Sequence, residues 1–331
     1  MGLANTPCCL GTSRHPVTSY VLFRLAQLVV VLVVVSFLTF GLVHLLPGNP
    51  TTAILGPGAS AHARLALEHQ LGLNKPMPVA YLDWLLHAAQ GNLGQSYITH
   101  QSVASAIRQA LPVDIELLVI SQVMALAIAI PLALAVARRP GGLFDQSAST
   151  VSFAMLAVPA FVAAVILQQV LAVHLGAFPA TGWVGLTSSP LQNLRDAFLP
   201  SLTIAVGSIA AYMRLLRADL VSTLQQEYIT MARSKGLSTS RIMLRHAFRP
   251  STFSLMTVAG LSIGAVISGA FVVEYLFALP GMGEQAITAI YQRDYLLLQG
   301  DVLVFTSLFV VANFAVDLAY TFIDPRVRLG R

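Results

Sequence analysis

Six long apolar runs divide the 331-residue chain, and they restrict its fold more than any other feature of the sequence. A helix needs about 20 mostly apolar residues to cross the hydrocarbon core of a bilayer, and every run reaches that length. Because lipid offers backbone N–H and C=O groups no partners, such runs are helices unless they show the short alternating strands of a barrel. We therefore predict an all-α polytopic membrane protein with six transmembrane helices, at 20–46, 114–137, 147–173, 199–219, 252–277 and 301–322.

The first apolar run is a membrane-spanning helix rather than a secretory signal peptide. A signal peptide has a shorter apolar region followed by a small-residue cleavage site, and neither property describes residues 20–46. Only 10% of the residues are charged, whereas about 25% are charged in a typical soluble domain. The composition therefore also favours a membrane protein.

The distribution of Lys and Arg predicts the orientation in the cytoplasmic membrane, because cytoplasmic loops carry the excess of positive charge. With the N-terminus inside, 14 of the 19 basic residues lie on the cytoplasmic side and 5 lie outside. We expect both termini, as tails over 1–19 and 323–331, to be cytoplasmic, and Trp84 to be outside.

The outer segment over 47–112 is too long for a simple turn between two spans. "ARLALEHQLGLNKP" has the pattern of an amphipathic helix that stops near Gly72. "MPVAYLDWLLHAAQGNLG" has the pattern of a second helix followed by a glycine turn. The sequence therefore predicts a small helical extracytoplasmic segment between the first two spans. Its histidines have no i,i+4 pairing, so we expect no metal site there.

The chain lacks the motifs of a catalytic site. It has no glycine-rich loop followed by Lys and Ser or Thr, so it has no phosphate loop of its own. It has neither a zinc-protease helix motif nor a nucleophile elbow. Cys8 and Cys9 are neighbours and cannot form a disulfide framework. We predict no catalytic residue, no metal, no cofactor and no nucleic-acid partner.

Few polar side chains lie deep inside the predicted spans. The acidic residues fall within a few turns of a span end, which is typical of interfacial anchors rather than an ion pathway. Pro159 should kink the third span. The fifth span carries small residues at a spacing that serves either close helix packing or a pore-facing wall. Two glutamines late in the third span either line a wet path or bond to neighbouring helices. The candidate translocation-path residues are Gln168, Gln169, Ser262 and Ser268.

The stretch "EYITMARSKGLSTSRIMLRHAFRP", at 227–250, is unusually basic for this chain. It predicts a first short helix from Glu227 to about Lys235, which ends with Gly236 as the left-handed residue. The "STS" that follows offers caps for a second helix, from Arg241 to about Arg249. In that helix Arg241, Arg245 and Arg249 form one basic stripe. Anionic lipid would explain the charge, whereas a protein partner also explains the glycine break and the near-neutral first helix.

This stretch resembles the cytoplasmic "EAA" loop of ABC importer permeases in their dipeptide/oligopeptide form. Further stretches resemble the same family in the same order, and together they cover nearly everything after about residue 20. They include "FGLVHLLPGNP", "LGLNKPMPVAYLDWL", "GNLGQSY", "LPVDIELLV", "VVEYLFALPGMGEQAITAIYQRDYLLLQG" and "DLAYTFIDPRVR". The chain is similar to the B-type permease subunit of peptide importers, which implies a type I ABC importer permease fold.

The resemblance implies a transmembrane type-1 permease domain over 113–322, with a cytoplasmic coupling loop over 220–250. It also implies a second, similar permease, two cytoplasmic ABC ATPases or one fused ATPase, an extracytoplasmic binding protein, membrane lipid around the spans, and a peptide as cargo. The candidate ATPase-coupling residues are Glu227, Thr230, Ala232, Arg233, Gly236, Leu237 and Arg241.

The chain departs from the family at the acidic residue for which the loop is named. Thr230 occupies that position, and Glu227, one turn earlier, is the candidate replacement. The ion pair between that acid and the ATPase is therefore in question, and we rank Gly236, Ala232 and Arg233 above Thr230.

Two other functions were weighed against the peptide importer. The same architecture also imports nickel chelates, opines or glycosylated compounds, because specificity in the family lies largely in the binding protein. An ion-coupled secondary transporter is disfavoured, because the spans lack central ionisable residues and visible inverted repeats.

Overall fold

The computed structural model describes residues 17–45, isolated positions between 51 and 68, and 75–323. In that part of the chain the backbone is helical with no β-strand, apart from one isolated bridge between Gln95 and Ser102. The helices that matter below are α1 (Val17–Leu45), α2 (Met77–Ala89), α3 (Val103–Val136), α4 (Leu143–Ala157), α5 (Ala160–His174), α6 (Pro190–Leu224), α7 (Glu227–Ser234), α8 (Thr239–Phe277), α9 (Met282–Gln292) and α10 (Tyr295–Ile323).

The all-helical, polytopic membrane fold predicted from the sequence is confirmed. Helices α3, α6, α8 and α10 are each long and apolar enough to cross a membrane, and the bent pair α4 and α5 is so only when taken together. The first predicted span falls on α1, whose 29 residues extend about 44 Å and include the apolar stretch Ala26–Gly41. Several helices are longer than their apolar runs. For example, α3 begins at Val103, well before the predicted start of the second span.

The third span breaks at Pro159 rather than bending gently. The axes of α4 and α5 differ by 107° across this break. Val158 is extended, with ψ 121°, because a residue that precedes proline is driven out of the helical region. Pro159 then caps the start of α5. The predicted kink is confirmed, and it divides the span into two helices.

Helices α3 and α6 pack most extensively and form the centre of the fold. Every fourth residue from Ala125 to Ala137, at the end of α3 and its C-cap, is alanine and is almost fully buried. These alanines pack with Tyr212 and Leu216 of α6, which are also buried. Small side chains permit the close approach of helices that lipid-embedded packing requires.

Two acids near span ends are buried beneath α9, contrary to the interfacial placement that we expected. Glu274 and Asp301 are fully buried. A Glu274 carboxylate oxygen accepts from the backbone N–H of Gly283 at 2.7 Å, and Asp114 accepts from that of Met282 at 3.0 Å. These are first-turn N–H groups of α9, which no helical carbonyl can satisfy. Because α9 folds over the span ends, its unpaired N–H groups bring the acids inside.

Helix α2 covers the second of the two helices that the sequence predicts between the first two spans. Tyr81 of α2 donates to the backbone oxygen of Val33 at 3.0 Å and lies 2.8 Å from the Ser36 hydroxyl, so α2 packs along α1. Most of the other predicted helix, 63–76, lies outside the described residues, as do residues 1–16, with Cys8 and Cys9, and 324–331.

Candidate functional site

The basic stretch forms a helical hairpin that follows directly from the membrane span α6. Only Gln225 and Gln226 separate the end of α6 from the start of α7. Gln226 is extended, and its carbonyl accepts from the N–H of Ile229 at 3.0 Å, which opens α7. Glu227 lies in the first turn, where its charge favours the helix dipole. The short link ties the position of α7 closely to that of α6.

Gly236 ends α7 in a left-handed turn, as the sequence predicts. Its φ is +77°. Its N–H donates to Arg233 at 2.9 Å, and the N–H of Leu237 donates to Ala232 at 3.3 Å. These two bonds define a Schellman motif, in which the left-handed position is normally glycine. The turn reverses the chain within four residues, from Lys235 to Ser238.

The hairpin has a small apolar core of its own. Ile229 and Ala232 of α7 pack against Ile242 of α8, with Leu224 and Leu237 at the edges. Two of the predicted coupling residues, Ala232 and Leu237, therefore stabilise the hairpin from within. The other five are exposed on its surface, namely Glu227, Thr230, Arg233, Gly236 and Arg241.

The hairpin surface also presents large apolar side chains. Met231 is 61% exposed, and Leu244 and Tyr228 are also exposed. They share this surface with the arginines of the predicted stripe, Arg241, Arg245 and Arg249, all of them exposed.

The second helix of the hairpin does not end near Arg249, and this part of the sequence prediction is wrong. It begins at Thr239, after Ser238, and continues as α8 to Phe277, so hairpin and fifth span share one helix. Residues Ile242–Ala247 form a π turn within it. Because a π turn bonds i to i+5, Arg241, Arg245 and Arg249 do not repeat with strict α-helical spacing.

Tyr228 contacts the carbonyl that Pro250 leaves without a helical donor, and the sequence reasoning did not single it out. Pro250 has no N–H, so the carbonyl of His246, four residues earlier, loses its usual donor. The Tyr228 hydroxyl donates to that carbonyl at 3.3 Å. Tyr228 thus links α7 to α8 across the hairpin. No local pattern reveals this role, because it depends on the folded turn.

A cavity of about 350 Å³ lies beside α6, where α8 and the break between α4 and α5 face it. Its lining includes no charged residue. Most lining side chains are apolar, and the polar groups come from Thr203, Ser208, Tyr212 and Ser262. The cavity therefore offers weak hydrogen bonding and no ion pairing to a molecule inside it.

Side chains from three helices form a hydrogen-bonded cluster at the wall of this cavity. The Tyr212 hydroxyl of α6 donates to the Gln122 side-chain oxygen of α3 at 2.7 Å and contacts the Ser262 hydroxyl of α8. The Gln122 amide donates to Ser262 at 3.2 Å. Sequence reasoning found Ser262 but missed Tyr212 and Gln122, which lie in apolar runs without a motif.

The other three candidate path residues do not line this cavity. Gln168 donates to the backbone oxygens of Ala180 at 2.7 Å and Leu276 at 3.3 Å, so it fastens the end of the third span to its neighbours. Gln169 lies near His174 of its own helix. Ser268 donates to the backbone of Gly264 at 3.1 Å.

The small residues of the fifth span divide between the two roles weighed for them. A Cβ at Gly260 would lie within 3 Å of Val316, and one at Gly264 would overlap the Phe309 ring, so both permit close contact with α10. Gly269 instead lines the cavity and has open space beside it. Among the described residues, no group of three or more His, Cys, Asp or Glu side chains could hold a metal ion.

Long apolar helices, a hairpin that continues into one of them and an uncharged cavity beside it together indicate a membrane transport subunit. The chain belongs to the family of inner-membrane components of binding-protein-dependent transport systems. The model of that family matches residues 129–329, and the model of its N-terminal region matches 17–118. The chain is thus a multi-pass inner-membrane permease subunit of a binding-protein-dependent ABC importer.

Relatives match this chain over nearly their whole length. A peptide transport system permease of Brucella abortus is 36% identical over 94% of this chain and 99% of its own. The oligopeptide permease AppB of Bacillus subtilis is 32% identical over 93% and 99%, respectively. The di/tripeptide permease DppB of Pseudomonas aeruginosa is 32% identical over 95% and 99%.

Proposed function

We propose that this chain is the B-type permease subunit of an ATP-driven importer for di- or oligopeptides. The observation that carries the proposal is the hairpin at Glu227–Ser234 and Thr239–Phe277, whose second helix continues into the span that lines the cavity. The relatives, named for peptides and similar from end to end, support peptide as the cargo.

The exposed side of the hairpin is the docking surface for a cytoplasmic ATPase. Met231 and Tyr228 are exposed beside Arg233, and a cleft in a protein accommodates such a mixed surface better than lipid headgroups do. Glu227 is exposed and provides an acid one turn before Thr230. The complete importer contains a second permease, two ATPases or one fused ATPase, and an extracytoplasmic binding protein.

Transport is a population shift between inward-open and outward-open states. ATP binding closes the ATPases and moves the docked hairpins, and α6 and α8 follow because they are joined to the hairpin. ATP must favour the outward state by about 5.5 kcal/mol to invert a 99:1 population completely. Peptide crosses beside Ser262 and Tyr212, where uncharged walls do not select its side chains by charge.

The direct test of this function is peptide uptake by vesicles that contain the whole importer. We expect labelled di- and oligopeptides to accumulate only with ATP and binding protein present. We expect the permease pair without the ATPases to hydrolyse no ATP, because this chain has no phosphate loop. Uptake of nickel chelates or glycosylated compounds in place of peptides would assign a different cargo, and ATP hydrolysis without the ATPases would contradict the permease assignment.

Thiol labelling tests the proposed topology, with cytoplasmic tails at 1–19 and 323–331 and an outer segment at 47–112. The background variant has Cys8 and Cys9 replaced by serine. In intact cells, Leu86→Cys should react with an impermeant reagent, since Leu86 is 62% exposed on the proposed outer side. Lys235→Cys, in the hairpin turn, should react only after lysis. The reverse pattern would place the hairpin outside and refute ATPase docking.

A further inference from the structure

We infer that the ion pair between Asp145 and Arg217 makes α4 and the cytoplasmic end of α6 move as one body, and so transmits hairpin movement to the cavity wall. This inference rests on the proposed function. It assigns Asp145 and Arg217 as positioning residues, a role that charge distribution alone would not suggest, since cytoplasmic arginines ordinarily serve only to orient a membrane protein.

The geometry of the Asp145–Arg217 ion pair restricts relative movement of the two helices. Two nitrogens of the Arg217 guanidinium, Nε and Nη2, donate to the two carboxylate oxygens of Asp145. The Asp145 side chain is only 4% exposed, and it also accepts from the N–H of Gly141 at 2.8 Å. A bidentate guanidinium–carboxylate pair fixes direction as well as distance. It therefore restricts rotation of α4 relative to α6.

A second arginine of α6 contacts α4 independently. The guanidinium carbon of Arg214 lies 3.7 Å from the centre of the Phe153 ring. Arg214 and Arg217 are three residues apart and so lie on one face of α6. Phe153 lies two turns beyond Asp145 along α4. Helix α6 thus holds α4 at two separate points, which prevents α4 from pivoting about the ion pair.

The two joined helices connect the hairpin with the cavity. Arg217 lies two turns before Leu224, where α6 ends and the link to α7 begins. At the other end, α4 contributes Met155 and Leu156 to the cavity lining, and the break at Val158 follows directly. A displacement of α7 therefore reaches this wall through α6 and the ion pair, without passing through the partner permease.

The first test uses the whole reconstituted importer with Asp145→Asn or Arg217→Gln in this chain. We expect the amount of assembled complex and its ATP hydrolysis to persist, while peptide uptake per ATP falls about tenfold, which is in the usual range of coupling between sites. Arg139→Gln is the matched control, because Arg139 is an exposed cytoplasmic arginine close in sequence to Asp145. It should keep native uptake per ATP. Native uptake per ATP in the assembled Asp145 and Arg217 variants would overturn the inference.

The second test measures the separation of the two helices directly, with Cys8 and Cys9 replaced by serine and the ion pair left intact. Spin labels at Leu143→Cys and Ser222→Cys, both exposed positions at the cytoplasmic ends of α4 and α6, report their separation in the native-pair background. We expect the same distance with and without trapped ATP. A distance that changes with nucleotide would show that the two helices move separately, and it would refute the inference whatever the cargo proves to be.

Discussion

Gly236→Val should reduce peptide uptake to about a tenth or less while normal amounts of the protein reach the membrane. Gly236 has φ +77° at the left-handed position of the Schellman turn. That conformation costs an ordinary residue roughly 1–2 kcal/mol, and it is least accessible to β-branched side chains. No atom lies within 4 Å of a Cβ placed there, so the effect comes from the backbone alone. The strain would displace α7 from α8, and displacements of about 1 Å disrupt a fitted site.

Two control variants separate this effect from general destabilisation. Gly236→Asn should retain most uptake, because asparagine tolerates the left-handed region. Gly91→Val places similar strain at φ +83° on the outer side, again with open space around the Cβ, and it should leave ATPase association intact. Immunoblots of membranes, co-purification of the ATPases and uptake are measured together. Native uptake by properly inserted Gly236→Val would show that this turn does not control docking.

Gly283→Ala should detach α9 from the span ends that it covers and lower the stability of the folded protein by about 3 kcal/mol, from overpacking together with a lost buried hydrogen bond. The added Cβ would lie 2.5 Å from the Cα of Phe271 and 2.7 Å from the carboxylate of Glu274. Backbone atoms cannot yield as side chains do, so the first turn of α9 must move. The hydrogen bond from its N–H to Glu274 would then be lost.

The midpoint of thermal unfolding in detergent and trypsin cleavage after Arg293 measure this change. Arg293 follows α9 directly, so release of α9 should speed cleavage there. Gly185→Ala is the matched control, since Gly185 lies in an outer loop with nothing within 4 Å of its Cβ. An unchanged midpoint and cleavage rate for Gly283→Ala would show that α9 is held by other contacts.

The features that the sequence predicts well are those that depend on solvent or on one turn of backbone. The six spans follow from apolar length, because lipid excludes polar residues wherever they fall in the fold. Gly236 and Pro159 act through the backbone angles of one or two residues. The positive φ at Gly236 and the helix break at Pro159 therefore follow from residue type. The cytoplasmic sidedness, from charge, stays a prediction.

The features that the sequence does not predict arise where one element supplies what another lacks. Pro250 marks a helix end by local rules, but the helix continues, and the Tyr228 hydroxyl from the other arm of the hairpin donates to the carbonyl that Pro250 leaves free. From the sequence, Glu274 has the position of an interfacial anchor, and only the packing of α9 over it shows that it is buried. Gln168 fits a pore residue equally well until its backbone partners, Ala180 and Leu276, are known.

The helix Thr239–Phe277 runs without a break from the hairpin through the fifth span. Its 39 residues extend about 58 Å, so a turn of only about 5° around its cytoplasmic end moves its outer end by about 5 Å. The π turn Ile242–Ala247 lies near that pivot, so with the ATPase docking proposed above, the stiffness of the π turn determines how much of the ATPase movement reaches the far end of the helix. The movement at the hairpin and the movement at the far end of the span are therefore linked through one helix. Lengthening or softening this helix near the π turn would change the ratio of the two movements without altering either end.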